Sequence, residues 1–318
     1  TSVGRTEYTI PDGVQSIYDY AFHECENLRS VSIPDSVTRI YRSAFQDCTN
    51  LQNINLPDSI NYIAPSVFEN CSSLTQINIP RNVSYIGYHV FYGCSSLKAV
   101  DVEEGSNNYI SMDGVLFNYK NSKITGVLYC PGVGRKEYVI PDGVITINEF
   151  AFCDCSELTS VEIPVSVGNI GMEAFSGCSS LKNITFKGFA PEFESDCFYN
   201  ITADVYYPEN DSSWTEEVRQ DYGGTLTWKT YTAENLVDSG SCGEDVTWTL
   251  DRSGLLSISG NGLMTDYSEE NELPWYLYRR GIASVVINNG VTNIGDYAFY
   301  GCGSLAEINI SDTVTEIG

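Results

Sequence analysis

The chain has 318 residues, 42% of them hydrophobic, and carries 42 acidic against 17 basic residues for a net charge of −25. Such a surplus disfavours nucleic acid and anionic membrane surfaces as partners, because both would be repelled. No apolar run approaches the ~18–20 residues of a membrane span, and no secretory leader is recognisable, so Thr1 is read as a processed or excised end.

From Val14 onward one pattern returns every 23 residues. Its first copy has apolar slots at Val14, Ile17, Ala21, Phe22, Cys25, Leu28, Val31 and Ile33, followed by Pro34. Leu56-Pro57 and Ile79-Pro80 stay in phase with it, as do Phe45, Phe68 and Phe91 and Cys48, Cys71 and Cys94. A fixed period of this size predicts a solenoid, in which each unit buries its apolar face only against its neighbours. Leu28-x-x-Val31-x-Ile33 has the two-residue spacing of a short strand with one buried face, and Pro34 closes it. Val14-x-x-Ile17 reads as a second short extended piece. Ala21-Phe22-x-x-Cys25 has i, i+3 spacing and predicts a single helical turn. One rung cannot offset the entropy of ordering its own backbone, so the stack must be cooperative.

Residues 101–139 interrupt the period. Tyr109 to Phe117 and Lys123 to Tyr129 flank the turn-like Asn118-Tyr119-Lys120-Asn121-Ser122, which predicts a β-hairpin excursion. Gly132 to Val144 then nearly repeats Ser2 to Val14, so the chain is expected to begin inside another such unit. The pattern resumes with Ile140-Pro141, Phe152, Cys155, Ile163-Pro164, Phe175 and Cys178. Phe198 still keeps phase, but Tyr206-Tyr207-Pro208, Trp214 and Trp228 do not, and an aromatic, irregular end reads as a cap. Thr247–Leu250 and Leu255–Gly260 flank Asp251-Arg252-Ser253-Gly254, a hairpin signal, before a fresh repeat with Phe299, Cys302 and Leu305. The expected organisation is a repeat array over 1–186, a degenerate repeat and cap over 187–232, a linker with a capping hairpin over 233–284, and a truncated second array over 285–318.

Seven of the 11 cysteines occupy the one repeat slot. Rungs about 4.8 Å apart would bring neighbouring Cα atoms near disulfide range, but equivalent side chains in a stack point the same way. A ladder of buried free thiols is therefore expected. The pairing of Cys130, Cys153, Cys197 and Cys242 is not readable from spacing. So many reduced thiols in an exported protein would suit an anaerobic habitat.

The L-x-x-I-x-I-P…V-x-x-I-x-x-x-A-F-x-x-C unit resembles the leucine-rich repeats of BspA-like, or Treponema-type, surface proteins. The Asp113-Gly114-Val115-Leu116-Phe117 excursion, the Tyr206-Tyr207-Pro208…Tyr222-Gly223-Gly224 end and the Ser239-Gly240-Ser241-Cys242-Gly243 start are similar to accessory segments of that family. The resemblance implies an α/β repeat: a curved right-handed solenoid with a concave parallel sheet, short helical turns and hairpin inserts or caps. It also implies a bacterial cell-surface or extracellular adhesin, with no catalytic motif to carry over and with ligands that vary between members.

The outward strand positions are the best binding candidates. They are Ser30 and Ser32, Asn53 and Asn55, Gln76 and Asn78, Asp101 (with Ala99), Ser160 and Glu162, and Asn183 and Thr185. Stacking makes them two polar columns, either a hydrogen-bonding platform for a protein or glycan or a solvated face whose Asn side chains bond to one another. Tyr18, Tyr20, Tyr41, Tyr62, Tyr85, Tyr88 and Tyr92 offer a second patch beside the turn. The two histidines, His23 and His89, are expected to be ordinary surface residues, and no Ser/His/Asp or Cys/His arrangement emerges. Cys153-x-Cys155 is read as an accidental pair, with Cys153 facing outward. The acidic clusters Glu192, Glu194, Asp196 and Asp266, Glu269, Glu270, Glu272 lack the rhythm of a calcium loop. The expectation is a non-enzymatic adhesion module without cofactor or metal, engaging a host extracellular-matrix or mucosal protein or a glycan. A passive stalk is the alternative.

Overall fold

The computed structural model describes residues 5–268 and 272–318, in which the 23-residue period becomes a β-solenoid. Residues 1–4, which include Ser2, and Glu269 and Glu270 lie outside the described residues. Each rung contributes to runs of backbone pairing spaced by one repeat. In the first run the strands Glu7–Thr9, Ser30–Ser32 and Asn53–Asn55 pair in parallel, with Val31 opposite Ile54. The second joins the two-residue strands Ser16–Ile17, Arg39–Ile40, Tyr62–Ile63 and Tyr85–Ile86. Both runs resume after the insert, the first through Glu137–Val139, Ser160–Ile163, Asn183–Phe186, Thr202–Pro208 and Thr225–Tyr231.

The third run corrects the expectation of a helical turn. Around Phe22, amides reach back three residues, from Ala21 to Tyr18, His23 to Tyr20 and Cys25 to Phe22, so the chain makes successive turns. The alternate amides leave the rung. Those of Tyr20, Phe22 and Glu24 donate to the carbonyls of Arg42, Ala44 and Gln46 at 3.1, 2.7 and 3.0 Å. The next rungs do the same, from Phe45 to Val67 and from Phe68 to Val90. A helix would have spent these amides internally. The alternation needs left-handed backbone two residues before each phenylalanine, at Tyr20, Ser43, Ser66 and His89, and two after it, at Glu24, Asp47, Asn70 and Gly93. The later slot continues as Asp154, Gly177 and Asn200, and is dominated by the residue types that tolerate this region. Among the described residues there is no α-helix, and Tyr276–Tyr278 form a short 3-10 segment.

The phenylalanines fill the interior as a column of parallel rings. Centroids from Phe22 through Phe45 and Phe68 to Phe91 are 5.0, 5.7 and 6.1 Å apart, and those from Phe152 through Phe175 to Phe198 are 4.9 and 5.6 Å apart. Phe45, Phe68 and Cys71 are fully buried. All eleven cysteines are free thiols. The ladder thiols of Cys48, Cys71, Cys94 and Cys178 donate to the carbonyls of Phe22, Phe45, Phe68 and Phe152 one rung away, at 3.0–3.2 Å. The slot thus holds a small apolar group that can also satisfy a buried carbonyl.

The insert is larger than a single hairpin. Tyr109–Met112, Val115–Lys120 and Lys123–Tyr129 are three antiparallel strands joined by two turns. Asp113-Gly114 and Asn121-Ser122 all take left-handed φ, between 51° and 74°, which is the backbone of tight hairpin turns. The Asp-Gly signal lies inside what reads in sequence as one continuous strand. Lys123–Tyr129 then pairs in parallel with Thr146–Ile147 and returns the chain to the solenoid.

At the far end Phe186, Tyr207, Trp214 and Trp228 cluster, with Phe186 4.8 Å and Tyr207 5.3 Å from Trp214, whose indole N–H donates to Gly188. Leu236–Ser241, Val246–Asp251 and Leu255–Gly260 form an antiparallel meander, and the last of these pairs in parallel with Ser284–Ile287. The join between these parts is packed. Phe189 is buried in the core of the second part, where its ring would collide with any Cβ at Gly281. Arg252 donates to the Lys187 carbonyl at 2.8 Å, and Arg280 pairs with Glu192 at 2.5 Å.

Two outcomes follow. Phe68→Ala removes a ring packed on both faces and should cost about 3–5 kcal/mol, read as a fall in the urea midpoint. Burial pushes the Cys48 and Cys94 thiols from the ordinary 9.0 up to about 12. The unfolded chain therefore loses these protons first, so their contribution is fully present below pH 9 and is lost as pH rises toward 12. Stability should decline over that window, and Ellman's reagent at pH 8 should reach the buried ladder thiols of Cys48, Cys71, Cys94, Cys155 and Cys178 only after denaturation.

Candidate ligand-binding surface

The outward strand positions lie where the alternation places them. Val31, Ile54, Ile77, Val100, Val161 and Ile184 are buried, and the residues on either side of each face outward. Ser32, Asn53, Asn55, Gln76, Asn78, Asp101 and Asn183 are exposed, whereas Ser30, Ala99, Ser160, Glu162 and Thr185 are half-buried. The registers are Ser30 to Asn53 and Ser32 to Asn55, Asn78 to Asp101, Ser160 to Asn183, and Glu162 to Thr185.

The columns are not continuous. The Gln76–Ile79 and Ala99–Val102 pair forms a separate ladder, and the insert divides Asp101 from Ser160. Beyond the insert the face also includes Glu137 and Val139 on one side and Asp204, Tyr206, Thr227 and Lys229 on the other. Sequence reading missed these. The near-repeat of Ser2 to Val14 by Gly132 to Val144 could have identified Glu137 and Val139. The degenerate rungs carried no such signal. Lys229 binds Asp204 at 2.7 Å and lies over the Tyr206 ring at 5.8 Å.

Little of the hydrogen-bonding capacity of this face is used. Asn78 reaches Glu103 at 3.4 Å and Glu162 pairs with Lys187 at 2.9 Å. The side chains of Ser30, Ser32, Asn53, Asn55, Gln76, Asp101, Ser160, Asn183 and Thr185 make no hydrogen bond within the described residues, and no Asn ladder forms between rungs. Each such group donates to or accepts from solvent or a ligand.

Part of the tyrosine patch is a column. Tyr18, Tyr41, Tyr62 and Tyr85 follow one another at 5.3, 6.0 and 4.9 Å, while Tyr18, Tyr20, Tyr85, Tyr88 and Tyr92 remain exposed. His23 lies 3.3 Å from Asp47 and edge-on to Tyr20, at the surface. His89 departs from expectation. It is half-buried at a cleft beside the insert, with its Nε2 buried and without a partner. Cys153 lines the same cleft instead of facing outward, and burial raises its thiol to about 12. The missing rung beside the insert turns both residues toward an opening that periodicity does not reveal. In the acidic clusters, Glu192 is paired with Arg280 and Glu194 accepts from the Met172 amide. No helix among the described residues is long and apolar enough to cross a membrane.

The BspA type leucine rich repeat region model matches residues 2–123, 132–216 and 276–318, in six copies. Among solved structures the chain is similar to a leucine-rich repeat protein from Eubacterium ventriosum, at 20% identity over 98% of this chain and 81% of that one, with a TM-score of 0.47. It is similar also to the pneumococcal vaccine antigen PcpA, at 18% identity over 71% of this chain and 80% of that one, with a TM-score of 0.44. A leucine-rich repeat protein of T. pallidum is 31% identical over 61% of this chain and 75% of its own, with a TM-score of 0.36. No curated protein matches the chain. The parallel 23-residue rungs agree with the family model, which spans most of the sequence, and the chain belongs to the BspA-type leucine-rich repeat family.

Proposed function

We propose that the chain is a non-enzymatic recognition module of a bacterial cell-surface protein, engaging a protein or glycan through the outward face of its strand ladder. The observation that carries this reading is the row of in-register polar side chains with unspent hydrogen-bonding capacity. Membership of a surface-protein repeat family supports the location. On this reading the ladder lies on the concave side of a right-handed coil, and the contacts are made by Ser30, Ser32, Asn53, Asn55, Gln76, Asn78, Asp101, Ser160, Glu162, Asn183 and Thr185. Short polar side chains suit an extracellular-matrix or mucosal partner, or a glycan, that offers its own donors and acceptors. A net charge of −25 would favour partners that are not strongly anionic. The division at 186, 232 and 284 belongs to the same proposal, with two arrays meeting at a capped junction.

A passive stalk is the second reading. What favours it is the packed join, where Phe189, Arg252 and Arg280 tie the two parts together. A stalk needs such stiffness and needs no ligand.

Asn55→Arg combined with Asn78→Arg separates the two. Both positions are exposed, so the melting temperature should not change. Binding to a positive hit from a matrix-protein, mucin and glycan screen should fall at least tenfold. Undiminished binding would remove the strand face from consideration, and the absence of any hit would favour the stalk.

A further inference from the structure

In an unbroken rung, three amides of the turn run donate to carbonyls of the next rung. Beside the insert this ladder is open. The amides of His89, Phe91 and Gly93 hold the donating positions, and no carbonyl among the described residues receives them. On the opposite side, the next complete turn run presents the carbonyls of Glu149, Ala151 and Cys153, of which only Ala151 is taken, by the Cys130 amide at 2.7 Å. The insert therefore rebuilds only the centre of the absent rung, where Tyr129 packs on Phe91 at 5.3 Å. A cavity of about 540 Å³ lies between the two open edges. That is the size of an ordinary ligand site.

Its lining has a distinct chemistry. Tyr85, Tyr88, Tyr92 and Phe150 supply aromatic walls, Glu149, Asp154 and Glu157 supply carboxylates, and no lysine or arginine lines it. The His89 ring packs 4.0 Å from Phe150 and 5.5 Å from Tyr92, with its buried Nε2 unpartnered. One edge of the cleft thus presents only backbone donors and the other only acceptors, so a peptide between them must turn carbonyls to the first and amides to the second. Carboxylates beside tyrosine faces favour a cation.

We propose that this cleft captures a peptide segment of a partner protein that carries arginine or lysine, and that the segment passes outside Tyr129 and Cys130, which hold the centre of the rung. Its carbonyls accept from the amides of His89 and Gly93, and its own amides donate to the carbonyls of Glu149 and Cys153. Its cationic side chain lies against Glu149, Asp154 and the tyrosine rings. The site is separate from the strand face, so its fate does not depend on the function proposed above.

The test uses the whole chain and a fluorescein-labelled octapeptide of alternating valine and arginine, with a valine–glutamate octapeptide as its counterpart. Fluorescence anisotropy should show binding of the first and none of the second. Glu149→Gln combined with Asp154→Asn should weaken binding at least tenfold. Glu209→Gln combined with Glu216→Gln removes the same charge at exposed positions away from the cleft and should leave binding within twofold. Hydrogen exchange should slow at the His89 and Gly93 amides when the arginine peptide is added. Equal loss in the two double variants, or unchanged exchange at those amides, would mean that the peptide is held by diffuse charge and would overturn the proposal. Equal binding of both peptides would overturn it as well.

Discussion

The structure depends on one constraint: half the amides in each turn must find their acceptors a full repeat away. Tyr20, Phe22 and Glu24 reach the following rung only because the backbone between them alternates right- and left-handed. A buried amide without an acceptor costs free energy comparable to a lost hydrogen bond. Each rung therefore specifies the position of the next to within hydrogen-bonding tolerance. The phenylalanine column and the thiol-to-carbonyl bonds follow from this, since residues 23 apart are held at one height in the stack.

The same register makes the surface. Any side chain that faces outward in one rung is repeated by its counterpart in the next, so local choices become columns. Short polar residues on the strand face yield a row of unspent donors and acceptors. Tyrosines beside the turn yield a column in which neighbouring rings partly cover one another, with Tyr18 and Tyr85 exposed at its ends.

The insert shows what happens when the register is broken. Three antiparallel strands satisfy their own amides and rejoin the stack through Lys123–Tyr129, but they rebuild the turn ladder only at Cys130. Donors and acceptors on either side are left facing an opening, and His89 and Cys153 line it. At the other end, Phe189 crosses from the last rungs of the first part into the core of the second, and Arg280 reaches back to Glu192. One discontinuity opens a cleft and the other closes a joint.

Periodicity alone determined the rungs, the buried identity of Phe45, Phe68 and Cys71, and the inward and outward alternation of Asn53-Ile54-Asn55, while the resemblance of the repeat unit to a known one pointed to the family. Each of these depends on residue spacing, and a repeat copies spacing without change. The turn was misread as helical because i, i+3 spacing is common to a helix and to successive turns. The run Glu24, Asp47, Asn70, Gly93 held the signal that distinguishes them. Only the tertiary structure decided the cleft around His89, the break in the polar columns and the packed join at Phe189. These arise where non-equivalent segments meet across 40 or more residues, and contacts of that kind leave no period in the chain.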